Sequence, residues 1–474
     1  VKIALIVEGS YPYVAGGVAS WIQMLVTSMR EHDFEIIAIS SSRKEARESK
    51  YKMPVNVTGV HDVFIMDYLE LTEGRGPRLS PEEARLCLDW FAFREGSEGA
   101  LPIIADPSRL GNPIAFLKSE AFWELLVDSY RQEMPTRSFN AYFWTWRSMY
   151  LPAIFLLQQP YPEADLYHAV STGYAGMIAS YLRQKHGRPF ILTEHGVYAR
   201  EREEEILQSA WVEPGFKRRW IDYFYHMSKG AYRTADRTIA LYGGTQHIQL
   251  ELGVPEERSL IIPNGIDYGT LSRLPRRTSE PDAGMIFGAL VRLVPIKDVK
   301  TLLYAARLAS RRIPGMELWI MGPTEEDPDY YQECLALSRQ LELEDIVTFT
   351  GKVPIAERLP MVDVLILSSI SEGQPLAVLE GMAAGIPWIC TDVGSCRELL
   401  EGKDEHDPGT AGYIVPPVDP AAMAERMLQM YESPGQRSYM GSVGRRRVEA
   451  YYQTEHFIGT YRKLYREAVD GWPE

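Results

Sequence analysis

The sequence predicts an α/β protein of two doubly wound, Rossmann-like domains facing a cleft, with a helical insertion in the first domain. Three observations carry this. Short apolar runs alternate with helical segments in both halves of the chain, a rhythm that gives parallel sheets covered by helices on both faces. A polar stretch at 268–282, YGTLSRLPRRTSEPD, separates the halves and reads as a linker. The segment from about 41 to 160 breaks the rhythm and reads as a mostly helical insertion. A chain of 474 residues is long enough for two large domains.

In chain order, residues 3–7 predict a buried strand, 18–30 an amphipathic helix and 34–40 a second strand. Within the insertion, 63–66 reads as a strand, 81–93 as an acidic helix and 115–157 as an aromatic-rich helical stretch. Its Phe116, Phe122, Trp123, Tyr142, Phe143, Trp144 and Trp146 are expected in the core, with an exposed partner surface as the alternative. Strands follow at 165–170, 190–193, 238–241 and 259–262. After the linker, strands are expected at 285–290, 317–321, 346–350, 364–367 and 387–390. Helices are expected at 299–312, 330–342, 375–384 and 397–401, then at 421–431, 435–451 and 454–469. The domains are therefore placed at 1–270 and 283–452, with the helix at 453–474 returning to the first domain. Ligands of such sheets bind at the carboxyl ends of the strands, so a two-substrate enzyme suits the plan.

Composition excludes several classes. With 45% hydrophobic and 11% aromatic residues the chain is not disordered as a whole. The four cysteines, Cys87, Cys334, Cys390 and Cys396, make neither a disulfide scaffold nor zinc-ligand spacing, and read as small buried hydrophobes. The net charge of −14, with both halves acidic, excludes an overall nucleic-acid or anionic-membrane binder. No apolar run is long enough to span a bilayer, and the opening VKIALIV reads as a strand rather than a secretory leader. A cytoplasmic protein is expected.

Three loops carry candidate chemistry. The first strand leads through EGSYPYVAGG to a helix, so Gly16 and Gly17 can let an anion approach backbone amides at a helix start. A plain β–α turn would look the same. Arg292 and Lys297, on the loop after the first strand of the second domain, can grip a diphosphate; two solvated cations are the alternative. Most informative is SSISEGQPLAVLEGMAAGIP at 368–387. A strand ends, a glycine turn follows, and Pro375 falls in a helix first turn whose free amides suit an anion. Glu372 lies in the loop, and Glu380 on the helix can accept both hydroxyls of a ribose diol. Asp327-Pro328-Asp329 spells D-x-D but reads as a solvated acidic loop.

These motifs occur together: E-x7-E (Glu372, Glu380), R-x4-K (Arg292, Lys297), PNGID at 263–267, TGKV at 350–353 and the Gly16-Gly17 loop. Together they resemble the retaining nucleotide-sugar glycosyltransferases of the GT-B fold, in particular the family-4 branch. The resemblance spans the chain except the insertion. That insertion, with the VEGSYPYVAGGVASW start, the TEHG segment at 193–196 and SEGQP, is similar to the cytosolic glycosyltransferases of bacterial Pel exopolysaccharide synthesis.

The resemblance implies roles. Arg292 and Lys297 would neutralise the leaving diphosphate. Amides around Gly373, Gln374, Pro375 and Leu376 would bind phosphate and sugar hydroxyls, and Glu372 would hold the sugar. Glu380 would hold the ribose, Lys352 and Val353 would frame the base through backbone contacts, and Gly16 and Gly17 would admit the diphosphate. His195 would lie beside the transferred sugar. Its neighbour Glu194 is read as structural or acceptor-side. The implied donor is a UDP-sugar, the acceptor a growing polysaccharide, and the reaction retaining, with no essential metal and no further cofactor. Membrane-embedded synthase components would be partners through protein contacts, which would place the chain at the inner membrane. No nucleic acid is implied. A transferase on a small acceptor and a sugar-nucleotide-binding subunit without catalysis are the rivals.

Overall fold

The computed structural model describes residues 1–44, 48–72, 74–277, 284–403, 407 and 409–471. The chain divides into two compact units. The first comprises Val1–Ala240, Thr245–Ile261 and Thr460–Glu474; the second comprises Leu241–Gly244 and Ile262–Gly459. Residues 278–282 of the expected linker lie outside the described residues.

The first unit holds a seven-stranded sheet. Its strands are β1 (Lys2–Glu8), β2 (Asp33–Ser40), β3 (Val57–Phe64), β4 (Leu166–Ala169), β5 (Phe190–Glu194), β6 (Arg237–Ala240) and β7 (Ser259–Ile261). The order is β3-β2-β1-β4-β5-β6-β7, and every pair is parallel. Covered on both faces, β1 can be apolar throughout its middle, and Ile3 to Val7 are buried. The order reverses between β1 and β4, the position where open α/β sheets take ligands.

The edge strand β3 corrects the sequence reading. It lies inside the 41–160 stretch, where only 63–66 was expected as a strand. VTGVHDVF alternates exposed and covered positions along the edge of the sheet, so no continuous apolar run announces it. Its place is set by pairing with β2 from Phe34↔Val57 to Ser40↔Phe64. The helical insertion therefore follows β3.

That insertion includes the helices Pro81–Phe91, Glu120–Glu133 and Phe139–Leu157. Ser80 and Glu83 close a capping box at the first. Along the third, Tyr142, Trp146, Met149 and Tyr150 are buried and merge with the core beneath the sheet. The insertion is thus part of one core rather than an appendage. Phe116, Phe122, Tyr142 and Trp146 are buried as expected, and Phe143 packs at the core margin. Trp123 and Trp144 do not fit that reading: both are about half exposed, at 54% and 51%. Trp123 follows buried Phe122, and Trp144 stands two residues from Tyr142 and Trp146, so each turns to another helix face.

The second unit holds a six-stranded sheet of β8 (Ile286–Leu290), β9 (Glu317–Met321), β10 (Val347–Gly351), β11 (Val364–Leu367), β12 (Trp388–Thr391) and β13 (Gly412–Val415). Its order is β10-β9-β8-β11-β12-β13, again all parallel. Strand β13, only GYIV, went unread in the sequence because four residues carry too little pattern. The order reverses between β8 and β11. The final helix, Thr454–Asp470, carries Tyr461 and Tyr465 in the part assigned to the first unit. There Tyr461 Oη lies 2.9 Å from Thr193 Oγ1, and Tyr465 Oη 2.7 Å from His168 Nδ1. All four cysteines are buried and free.

Candidate active site

In the second unit the reversal point brings two loops together. The loop after β8 starts at Val291, where the backbone of Gly322 passes so close that a Cβ there would lie 1.9 Å from the Val291 carbonyl oxygen. Leu293 N donates to Pro323 O at 3.1 Å. The loop after β11 is stitched to it: Ser368 Oγ donates to Lys297 O at 2.8 Å, and Ile370 N to Ile296 O at 2.9 Å. Between them, Lys297 Nζ lies 2.5 Å from Glu372 Oε1, with side chains only 15% and 11% exposed. Ser369 Oγ donates to the same carboxylate oxygen at 2.6 Å. A low-dielectric ion pair thus sits at the carboxyl edge of the sheet, where open α/β sheets take ligands.

Arg292 is not part of that pair. It is 44% exposed and forms an ion pair with Glu326, in the acidic turn after β9. The spacing placed both cations on one loop, but Glu326 draws the arginine away from the lysine.

The Glu372-Gly373 turn is braced from β12. Ser395 N donates to Gly373 O at 2.9 Å, and Thr391 Oγ1 to Ser369 O at 2.7 Å. Gly394 stands at φ +53, and a Cβ there would lie 2.2 Å from Gly373 O and 2.4 Å from Glu372 O. Gly394→Ala is therefore expected to cost at least about 2 kcal/mol and to displace the Glu372 carboxylate. A thermal melt and a turnover assay on that variant check both losses.

Gln374 is buried, with its side chain engaged by backbone. Its Oε1 accepts from Asn264 N at 2.6 Å, and its Nε2 donates to Leu241 O at 3.3 Å. That use ties up the Gln374 side chain, and it gives the PNGID segment a bracing role. Pro375 is the N-cap of the helix Leu376–Ala383, one position earlier than its expected place in the first turn, and no side chain caps that helix. Glu380 lies in the second turn. Burial pushes its carboxyl up to about 7. Lys352 is exposed and Val353 half-buried, just past the end of edge strand β10. Asp327 accepts from Tyr330 N at 2.9 Å as the N-cap of the helix Pro328–Gln340, and Asp329 lies in its first turn. The D-x-D thus starts a helix rather than forming the expected loop. Among the described residues no three His, Cys, Asp or Glu side chains gather as a metal site.

In the first unit, Gly16 caps the helix Gly17–Ser28 with an extended backbone. A Cβ at Gly16 or Gly17 would meet no atom within 4 Å. Neither internal packing nor a left-handed φ asks for these glycines. Gly17→Ala is accordingly expected to leave the melting temperature unchanged while raising the donor KM about tenfold, roughly 1.4 kcal/mol. An unchanged KM would leave the loop a plain turn.

Glu194, at the end of β5, is fully buried and accepts from Tyr232 Oη at 2.6 Å, Gln249 Nε2 at 2.9 Å, Thr172 Oγ1 at 3.1 Å and Tyr198 N at 3.3 Å. Burial raises its pKa despite these bonds. Four donors on one carboxylate make it a brace between loops. Glu8, at the end of β1, accepts from Tyr174 N at 3.0 Å and Tyr198 Oη at 3.1 Å. His195 follows Glu194. Its Nε2 is shut from solvent and makes no hydrogen bond. Burial brings its pKa down to about 4, so the imidazole is neutral at pH 7.

In the second unit Asn264 and Ser369 lie inside motifs read from the sequence, but their bracing roles were not, and Gly394 was not singled out at all. In the first unit Glu8 was missed, although a carboxylate closing an apolar strand is a signal.

Two family models match the chain. One, described as a domain of unknown function, DUF3492, covers residues 1–257; the other, glycosyl transferases group 1, covers residues 284–433. The chain belongs to the DUF3492 family, and its second unit is a group 1 glycosyltransferase domain. Among relatives of this DUF3492 chain is the MMP alpha-(1->4)-mannosyltransferase of Mycolicibacterium hassiacum, 24% identical over 297 residues, which are 60% of this chain and 67% of the relative. The putative glycosyltransferase EpsD of Bacillus subtilis is 27% identical over 298 residues, 60% and 72% of the two chains. The solved structure of Anabaena HepE in complex with UDP aligns over 98% of this chain and 100% of its own, with a TM-score of 0.60 and 15% identity. The fold is GT-B, and the DUF3492 chain is a glycosyltransferase in kind.

Proposed function

We propose that this chain is a PelF-type transferase. It passes a sugar from a UDP-sugar to a growing exopolysaccharide, with retention of anomeric configuration. The observation that carries the reading is the Lys297–Glu372–Ser369 cluster at the β8/β11 reversal, inside the domain that matches glycosyl transferases group 1. In this reading Lys297 leaves Glu372 for the donor diphosphate, and Arg292 leaves Glu326 to join it. Glu372 turns to the sugar, amides of 373–376 meet phosphate and hydroxyls, and Glu380 takes the ribose. The bond from the sugar's C1 to the phosphate oxygen breaks as the acceptor oxygen bonds to C1 on the same face. The acceptor proton passes to the departing phosphate oxygen. Lys297 and Arg292 offset the charge that develops there. HepE, whose structure holds UDP, supports that nucleotide.

The test is UDP release by the purified chain across UDP-hexoses and UDP-N-acetylhexosamines, with EDTA present. Release from one donor is expected, and it names the sugar. UDP binding without turnover for any donor, with or without polysaccharide, would overturn the reading in favour of a binding subunit. Release only when a metal is restored would remove the metal-free mechanism.

The reading places the chain in the cytoplasm, held at the inner membrane by protein partners. No helix among the described residues is long and apolar enough to cross a membrane. Exposed Trp123 and Trp144 on the insertion are the proposed contact. Trp123→Ser with Trp144→Ser should release the chain from the membrane fraction while UDP release stays at the parent rate.

A further inference from the structure

We propose that Trp21 is the positioning residue for His195: its indole, set edge-on against the imidazole, fixes the ring at the end of β5 and ties it to the helix that begins at Gly16–Gly17. The inference rests on the proposed function, with His195 in the place beside the transferred sugar that the family resemblance implies. An active-site imidazole is ordinarily oriented by a hydrogen bond through one ring nitrogen. The buried Nε2 of His195 has no such bond among the described residues. Its ring is instead met by Trp21 at a centroid distance of 4.8 Å and an interplanar angle of 81°. An edge-to-face pair of this kind is directional, so it can set ring orientation as well as fill space.

Trp21 is suited to the task because it is itself held. It is 2% exposed. Its ring meets His168 at 5.9 Å and 82°, and Tyr461 at 5.4 Å and 80°. His168 is pinned in turn, with Nδ1 2.7 Å from Tyr465 Oη and Nε2 2.9 Å from Thr193 Oγ1. Trp21 from the first helix meets the His195 ring, His168 from β4 acts on it electrostatically, and Tyr461 and Tyr465 from the final helix pack around Trp21 and His168. Burial brings the pKa of His168 down to about 3, so it is neutral, and burial raises both tyrosines. Glu194, the chain neighbour, is occupied by its four donors. No ion pair reaches the ring among the described residues, and burial alone lowers its pKa; in this proposal the indole supplies the part of that burial that the test reads.

The experiment compares Trp21→Phe and Trp21→Leu in the full chain. Three quantities are read: the His195 titration by imidazole NMR (assigned with His195→Gln), kcat and donor KM across pH, and the melting temperature. Trp21→Phe, which keeps an aromatic edge, should hold kcat within about threefold. Trp21→Leu should hold the donor KM within about threefold and lower kcat about 10- to 100-fold. In the same variant the His195 midpoint should climb from about 4 by at least about one unit toward its ordinary value, giving kcat a new acidic limb.

The proposal is overturned if the His195 midpoint stays in place in Trp21→Leu. It is equally overturned if both variants lose kcat alike and the loss follows the melting temperature, since that pattern belongs to a core tryptophan. Should Trp21→Leu fail to fold, Trp21→Met supplies the same comparison with a flexible apolar side chain. The dependence on the functional reading is separable. If His195→Gln turns over at the parent rate, the role of His195 fails, whereas the NMR midpoints still decide whether Trp21 governs the ring.

Discussion

Lys297→Ala is expected to lower turnover about a hundred- to a thousandfold, the range seen when one group that stabilises transition-state charge is removed. The same change should destabilise the ligand-free fold by about 3 kcal/mol, because it strands a carboxylate that is only 11% exposed. Two effects with different origins can be separated. The double variant Lys297→Met with Glu372→Gln removes both charges at similar volume. It should regain most of the lost stability, since the desolvated charge has gone, yet remain inactive. Thermal melts and UDP release on the parent, both singles and the double decide the matter. A Lys297→Ala variant that turns over at the parent rate would end the phosphate role. A double variant as unstable as Lys297→Ala would show that packing, rather than charge, holds the two loops.

Glu380 gives the second large effect, and here pH is the lever. Burial lifts its carboxyl from 4.5 to about 7 in the folded chain. The folded state therefore holds this proton more tightly than the unfolded state. Its contribution favours folding fully below about pH 4.5 and is lost as pH rises through about 7, a swing of roughly 3 kcal/mol at most. Glu380→Gln removes that loss, so the variant should be more stable than the parent at pH 8 and close to it at pH 5. UDP binding should run the other way. A carboxylate accepts from both hydroxyls of a ribose diol, whereas the protonated form has given up part of that capacity. UDP binding near pH 7 should thus release a proton, and affinity should fall as pH drops below 7. Glu380→Gln should weaken UDP about 10- to 100-fold and flatten this dependence. Calorimetry in two buffers of different ionisation enthalpy reads the proton directly. Affinity independent of pH between 6 and 8, with no proton released, would take the ribose role from Glu380.

The candidate site was legible in sequence to the extent that its parts are local. The SEGQP turn, the uncapped helix behind it and the Gly16-Gly17 loop are each written in a few consecutive residues. The sequence reading placed Glu372 at a strand's carboxyl end and Glu380 on the following helix, and the structure has them there. It could not pair Lys297 with Glu372, 75 residues away, while leaving Arg292 with Glu326. That outcome depends on β11 lying beside β8, and on an acidic turn reaching the arginine first. Gly394 looked like any loop glycine until its backbone was found against the carbonyls of Glu372 and Gly373.

The alternation of strands and helices in both units is written in neighbouring residues, because a period of two or 3.6 is a local property. So are the apolar β1 and the buried helix through Tyr142 and Trp146. Long-range pairing makes 57–64 an edge strand, since an edge needs no continuous apolar run and takes its register from β2. Packing likewise brings Trp21 to His195, a contact made where the first helix lies against the end of a distant strand. Burial decided the rest: the same glutamate and histidine would titrate ordinarily in water, and the fold moves them by removing it.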